Sequence, residues 1–136
     1  MTIENRVANS LLLLRIGVFI VMLVWTLDKF VQPDHAGLVY ENFYGIGGLG
    51  AGAFIAIGIA ELLLVCAFAA GYGKRFTYGA VLVIHAISTL SSWRQYLAPF
   101  EHLLFFAAWP MLAACIVLYY LRDLDTRWTL DGVKHG

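Results

Sequence analysis

A continuous apolar stretch from Gly47 to Gly71 constrains the fold of this chain more than any other feature. The stretch is longer than one bilayer thickness and carries a single charged residue, Glu61, near its middle. About 20 apolar residues cross a hydrocarbon core as a helix, and a carboxylate at that depth marks a function or a partner. We therefore expect a transmembrane helix in which Glu61 is a candidate functional group.

The same stretch carries a ridge of small residues with helical spacing. The ridge recurs every four positions, at Gly48, Gly52, Ala56 and Ala60. Small residues let a neighbouring helix approach closely within a membrane. We therefore expect this helix to lie at the centre of a helical bundle.

The composition agrees with a membrane protein and argues against a soluble domain. The 136 residues are 61% hydrophobic and 13% charged, whereas soluble domains have about 45–50% apolar and about 25% charged residues. The formal net charge is zero, so no overall field favours a nucleic-acid partner. The two cysteines, Cys66 and Cys115, form no CxxC pair, which argues against a disulfide scaffold or a thioredoxin-like centre.

Three further apolar segments accompany the first, and together they predict an all-α, four-helix bundle embedded in the membrane. The chain forms one domain with spans at about 8–30, 51–71, 76–93 and 101–121 and a polar cytoplasmic tail at 122–136. We expect Trp109-Pro110 to kink the last span, since proline removes an internal hydrogen bond.

Basic residues predict how the bundle is oriented. With four spans, both termini lie on one side, which carries Arg6, Lys74, Arg75, Arg122, Arg127 and Lys134. The opposite side carries only Lys29 and Arg94. Lysine and arginine concentrate in cytoplasmic loops, so both termini are expected in the cytoplasm.

Arg15 and Glu61 are the first pair of candidate site residues. At helical rise they lie about 10 Å and about 15 Å from the cytoplasmic ends of their spans. An ion pair between them lowers the unfavourable free energy of burying each charge. Two interpretations stay open: a structural clamp, or a protonatable group that faces a ligand cavity.

His85 and Thr89 share a polar face of the third span, at about the depth of Glu61. An imidazole there either completes a hydrogen bond between helices or binds the head group of a lipid-soluble ligand such as a quinone. A haem held by two histidines is disfavoured, because His85 and His102 differ in depth by about 10–15 Å at helical rise.

A third set of polar residues gathers at the outer face, away from the predicted cytoplasmic side. We call this set the outer rim; it contains Asp28, Lys29, His35, Glu41, Arg94, Glu101 and His102. Its spacing matches no metal-binding motif, so no metal site is expected. The outer rim is either an ordinary solvated surface or a mouth that admits a ligand or docks a partner.

Short motifs lie along the first part of the chain: LLRIGVFIVMLVWTLDKF at Leu13 to Phe30, Glu61-Leu62, and Gly71 and Arg75 at the following turn. These motifs give the chain a resemblance to the DoxX-like superfamily of small four-helix bacterial membrane proteins. It covers roughly the first 80 residues and implies a multi-pass protein of the bacterial inner membrane. Some members of this superfamily are membrane partners of redox systems, including a quinone-linked subunit, so the resemblance implies a redox-associated role.

These features predict an accessory subunit of a redox or respiratory membrane system with a quinone-sized cavity. Glu61 and His85 are expected to line the cavity, with Arg15 beside Glu61 and the outer rim as its entrance. The alternatives are a small proton-coupled transporter and a structural assembly protein without a ligand. The predicted surroundings are the lipid bilayer and a redox partner protein, and the sequence does not decide whether the chain is catalytic.

Overall fold

The computed structural model describes residues 1–131, and this part of the chain is helical with intervening turns. The α-helices are α1 (Ile3–Val31), α2 (Pro33–Tyr44), α3 (Ala51–Ala69), α4 (Lys74–Ser91), α5 (Trp93–Tyr96) and α6 (Ala108–Tyr120). Short 3₁₀ segments span Pro99–Glu101, Leu103–Ala107 and Arg122–Leu124. The all-α fold class predicted from the sequence is confirmed.

Local sequence signals explain where the helices begin and end. The Thr2 side chain accepts a hydrogen bond from the Asn5 amide at 3.1 Å and caps α1, as expected for an N-cap threonine. Pro33 starts α2, where its missing N–H removes no helical bond. Gly45 ends α2 with φ +69°, a left-handed conformation that glycine adopts without a steric penalty.

Most of the packing between elements involves α1, α3, α4 and α6. Helix α1 packs against α3 and α6, and α4 packs against α6 and α3, while the shorter α2 lies against α1 and α3. The buried core of this arrangement consists of Leu11, Val18, Met22, Val65, Phe68, Tyr78, Val81, Cys115 and Leu118. Helix α3 approaches α1 closely at Gly58, where a Cβ atom would lie 2.8 Å from the Phe30 ring.

Within residues 1–131, three helical segments are long and apolar enough to cross a membrane. They are Ile3–Val31, Gly52–Ala69 and Leu103–Tyr120. Large apolar side chains project outward from them, including Leu13 and Leu63 at 70% and 69% exposure. Outward-facing apolar side chains of this size suit contact with lipid better than contact with water.

Two sequence expectations about these segments need correction. The ridge residues Gly52, Ala56 and Ala60 are exposed, so α3 does not use the ridge to pack against another helix of the chain. The last segment is not one helix with an internal kink, because a 3₁₀ stretch leads into α6 at Ala108. Pro110 is thus the third residue of α6, in the first turn, where a proline removes no internal hydrogen bond.

Candidate functional site

Arg15 lies in a buried polar cluster at the end of the molecule that contains the α3–α4 turn. Its Nη1 lies 2.5 Å from Asp125 Oδ1, and the Tyr78 hydroxyl donates to Asp125 Oδ2 at 2.6 Å. Arg15 Nη2 also donates to the Arg127 and Trp128 carbonyl oxygens, at 2.6 and 3.0 Å. Arg15, Tyr78 and Asp125 are each exposed by 1% or less. We call Arg15, Tyr78, Asp125 and the adjacent Lys74 the end cluster.

Lys74 connects the end cluster to the backbone of the C-terminal segment. Its Nζ donates to the Asp125 carbonyl oxygen at 2.6 Å and to the Arg122 carbonyl oxygen at 3.2 Å. The Leu130 amide then donates to the Ala70 carbonyl oxygen at 2.8 Å. The segment after α6 therefore folds back over the bundle and contacts α1, the end of α3 and the start of α4.

These contacts overturn two expectations from the sequence. Arg15 pairs with Asp125, so the prediction that it stabilises Glu61 is wrong. The segment after 121 was predicted to be a polar tail separate from the bundle, yet Asp125 is fully buried. The remaining tail residues 132–136, Lys134 among them, lie outside the described part of the chain. Sequence reasoning missed Asp125 because a polar segment carries no periodicity that reveals its return to the bundle.

Glu61 forms its ion pair with Lys29, and not with Arg15. Lys29 Nζ lies 2.7 Å from Glu61 Oε2, and the two side chains are 9% and 17% exposed. Lys29 is near the end of α1, whereas Glu61 is ten residues into α3. The two antiparallel helices are therefore offset by about 12 Å at helical rise. Counting depths from equal span boundaries misses this offset, which is why the sequence did not reveal the pair.

A deep groove lies beside the Lys29–Glu61 pair, with a volume of about 1540 Å³. Its walls come from α1, α2, α3, α4, the segment that leads into α6, and the first part of α6 itself. Along α1 it extends from Leu13 to Lys29, which is about 24 Å at helical rise. Ligand pockets commonly have volumes of about 300–1,000 Å³, so the groove has room for a large lipophilic molecule.

The groove is apolar along most of its length and polar at one end. Its apolar walls include Leu14, Val18, Met22, Leu64, Met111 and Ala114. The charged and titratable side chains that line it are Asp28, Lys29, His35 and Glu61, together with the phenols of Tyr40 and Tyr44. All six come from α2, the end of α1 or the middle of α3, so the groove has a polar head end and an apolar remainder.

Both acidic groups at the head end have cationic or titratable partners. Besides the Lys29–Glu61 pair, Asp28 Oδ2 lies 2.7 Å from His35 Nδ1. Lys29 Nζ lies 5.7 Å from the centroid of the Tyr40 ring. Burial, the Glu61 carboxylate and Tyr44 raise the pKa of the Tyr40 phenol to about 12. At neutral pH Tyr40 is therefore a neutral hydroxyl that can donate a hydrogen bond.

His85 and Thr89 lie behind the groove wall and do not line the groove. His85 Nε2 is 3.1 Å from the Ala108 carbonyl oxygen and 3.2 Å from Thr89 Oγ1. The Trp25 ring stacks on the imidazole with centroids 5.9 Å apart, and Trp25 itself lines the groove. The prediction that His85 lines the cavity is therefore wrong, because Trp25 lies between the imidazole and the groove. Arg15 is also absent from the lining.

The predicted outer rim divides into groove residues and surface residues. Asp28, Lys29 and His35 line the groove. Arg94 packs over the Trp93 ring at 5.2 Å, and the His102 and Phe105 rings are 5.4 Å apart. Glu101 is exposed in a 3₁₀ segment. Among residues 1–131, no group of three His, Cys, Asp or Glu side chains is placed to bind a metal ion.

Glu61 lines the groove, as the sequence suggested, but its neighbours there differ from the expected Arg15 and His85. Lys29 was expected only in the outer rim, and Tyr40 and Trp25 were not singled out as site residues at all. The aromatic character of the segment before GIGG was the available signal for Tyr40.

No protein-family model, no curated protein and no solved structure matches this chain.

Proposed function

We propose that the chain is a four-span protein of the bacterial inner membrane, related to the DoxX-like superfamily, with both termini in the cytoplasm. Three apolar segments support this arrangement directly. Helix α4 is the proposed fourth span, because it turns Lys74, Thr77, His85 and Thr89 inward and exposes Phe76, Val83 and Leu90. A helix with its polar face inside the protein and its apolar face outside suits a lipid environment.

Within that membrane, we infer that the protein is an accessory subunit of a quinone-linked redox or respiratory system. The single observation that carries this inference is the groove, with its ion-paired polar head end and a long apolar remainder. A quinone has the same division, since its carbonyl oxygens accept hydrogen bonds and its chain is apolar. Lys29 and Tyr40 are the donors for such a head, and the apolar walls suit the chain.

Quinone binding can be measured through Trp25. Of the four tryptophans in the sequence, Trp25 is the one that lines the groove. A benzoquinone with a decyl chain, added to the full chain in lipid nanodiscs, is expected to quench its fluorescence saturably. Trp25→Phe shows how much quenching comes from the other tryptophans.

Two further variants test whether the quinone binds at the proposed head end. Glu61→Ala removes the ion pair and should weaken binding by about tenfold, because Lys29 loses its position. Glu41→Ala is the matched control, since Glu41 lies on α2, is exposed and does not line the groove. Equal, non-saturable quenching in wild type and Trp25→Phe would contradict the proposal.

The role as a subunit needs a separate measurement. Gentle purification from native membranes, followed by mass spectrometry and an optical spectrum, should recover a partner that carries a flavin, haem or iron–sulfur group. Recovery of the chain without any redox protein would contradict the accessory role even if the groove binds quinone.

A further inference from the structure

We propose that the Lys29–Glu61 pair sets the head-group specificity of the groove, so that it accepts uncharged heads and rejects anionic ones. This inference rests on the proposed function, because it assumes that the groove binds an amphiphile. It adds that anionic heads are rejected and names Glu61 as the residue that determines specificity. The ligand class is an amphiphile with a neutral, hydrogen-bond-accepting head on a long apolar chain.

The first step of the argument is the charge balance at the head end. A lysine that borders an apolar groove ordinarily attracts an anionic head such as a carboxylate or phosphate. Here Glu61 Oε2 already lies 2.7 Å from Lys29 Nζ. The second acid at this end, Asp28, has its partner in His35. An incoming anion therefore meets two carboxylates that already pair with the Lys29 ammonium and the His35 ring, so neither partner is left to attract it.

The second step is the partial burial of the pair. The side chains of Lys29 and Glu61 are 9% and 17% exposed, so few water molecules screen them. Charge–charge interactions are stronger in such surroundings than in bulk water. The repulsion between Glu61 and an anionic head is therefore large enough to select between ligands that share one apolar chain.

The third step is the set of hydrogen-bond donors that remain for a neutral head. A lysine ammonium has three N–H donors, and a single Glu61 oxygen lies within 2.7 Å of it. The Tyr40 hydroxyl stays protonated at neutral pH, and the Tyr40 ring lies beside the ammonium at 5.7 Å. A carbonyl oxygen, which accepts hydrogen bonds without bringing a charge, is complementary to these donors.

The experiment compares two ligands that share one apolar chain, one with a neutral head and one with an anionic head. A dibrominated alkyl methyl ketone and an alkyl sulfonate with the same dibrominated chain both quench tryptophan through bromine, and the sulfonate is anionic at every working pH. Saturable quenching of Trp25 in nanodiscs of zwitterionic lipid gives the two affinities. We expect the wild-type chain to bind the ketone at least about tenfold more tightly than the sulfonate.

Variants of the pair then reverse or restore the preference. Glu61→Gln leaves the ammonium unpaired, so the ratio of affinities should move toward the sulfonate by about tenfold or more. Lys29→Gln leaves the carboxylate and should abolish sulfonate binding. The double variant K29Q/E61Q is neutral again and should prefer the ketone, which also covers the case in which one single variant does not fold.

Glu41→Gln removes the same charge from a position outside the groove and should leave the ratio unchanged. Equal wild-type affinities for ketone and sulfonate, or a ratio unaffected by Glu61→Gln, would overturn the specificity proposal while leaving the proposed function standing. If neither ligand quenches Trp25 saturably, the proposed function and the specificity proposal both fail.

Discussion

Helix α1 contributes one cation to each of two ion pairs, and the two pairs have opposite surroundings. Arg15 and Asp125 are enclosed, with side-chain exposures of 2% and 0%, and protein groups occupy their polar atoms. Lys29 and Glu61, about 21 Å further along at helical rise, border a groove of about 1540 Å³. The enclosed pair joins chain segments, whereas the bordering pair stays within reach of a ligand.

The largest effect is expected when Arg15 is replaced. Arg15→Met leaves the Asp125 carboxylate buried without its cation and frees two carbonyl oxygens. Breaking one partner of a buried pair costs about 3–5 kcal/mol. Unfolding by SDS in mixed micelles should show a loss of that size in the free energy of unfolding.

Arg6→Met is the matched control, because Arg6 lies on the same helix and is exposed. Its free energy of unfolding should stay within about 0.5 kcal/mol of wild type. Equal losses for the two variants would mean that the enclosed pair does not join the C-terminal segment to α1.

A smaller effect is expected at Gly71, where the C-terminal segment crosses the α3–α4 turn. Gly71 has φ +64°, and a Cβ atom there would lie 2.5 Å from Thr129 Cγ2. Gly71→Ala should reduce the free energy of unfolding by about 2–3 kcal/mol, from left-handed strain and steric overlap. The same change should expose the segment to trypsin at Arg127.

Gly45→Ala separates the two causes, since Gly45 has φ +69° but no atom within 4 Å of the added Cβ. Strain alone should reduce the free energy of unfolding by about 1 kcal/mol there, with no change in cleavage at Arg127. A Gly71→Ala variant with wild-type cleavage would show that the C-terminal segment is not docked on the turn.

Removing the acid of the groove pair should affect stability less than removing Arg15. Glu61→Gln keeps the shape of the side chain, and the amide oxygen can still accept a hydrogen bond from the Lys29 ammonium. We expect a loss of about 1–2 kcal/mol in the free energy of unfolding. A loss as large as that for Arg15→Met would mean that the groove pair is a structural clamp.

The smallest effect concerns the ionisation of Tyr40. Burial and the Glu61 carboxylate raise its pKa to about 12, because both disfavour the phenolate. Stability linked to this phenol is therefore present below about pH 10, the ordinary tyrosine value, and is lost as pH rises through the folded pKa. The phenolate absorbance of wild type minus that of Tyr40→Phe, followed against pH, gives the titration midpoint of Tyr40. Glu61→Gln should lower this midpoint, because it removes the carboxylate. A wild-type midpoint at the ordinary tyrosine value of about 10 would mean that Tyr40 is in solvent and away from the groove pair.

Much of the fold was accessible from the sequence because apolar runs and helix caps are local signals. The runs predicted α1, α3 and the last apolar segment, although α1 begins at Ile3 and extends the predicted first span. Helix α4 has fewer apolar residues because its inner face is polar. The 3₁₀ stretch before α6 was missed, since proline position alone does not separate a kink from a new helix start.

The candidate site was only partly accessible, because ion pairs depend on distances between segments. Glu61 stood out as the one charge in a long apolar run. Its partner depends on the offset between α1 and α3, and no local pattern reports that offset. Asp125 depends on a chain reversal after α6, which a short polar segment does not signal.

The bond between Arg15 and Asp125 joins residues that are 110 positions apart in the chain, and this distance sets an order of events during biosynthesis. At about 5–20 residues per second, a ribosome needs roughly 5–20 s to advance from the arginine to the aspartate. During that interval the Arg15 guanidinium has no Asp125 carboxylate to pair with. The newly made protein therefore reaches its final state only after translation passes residue 128, whose carbonyl oxygen is the last acceptor of the guanidinium along the chain.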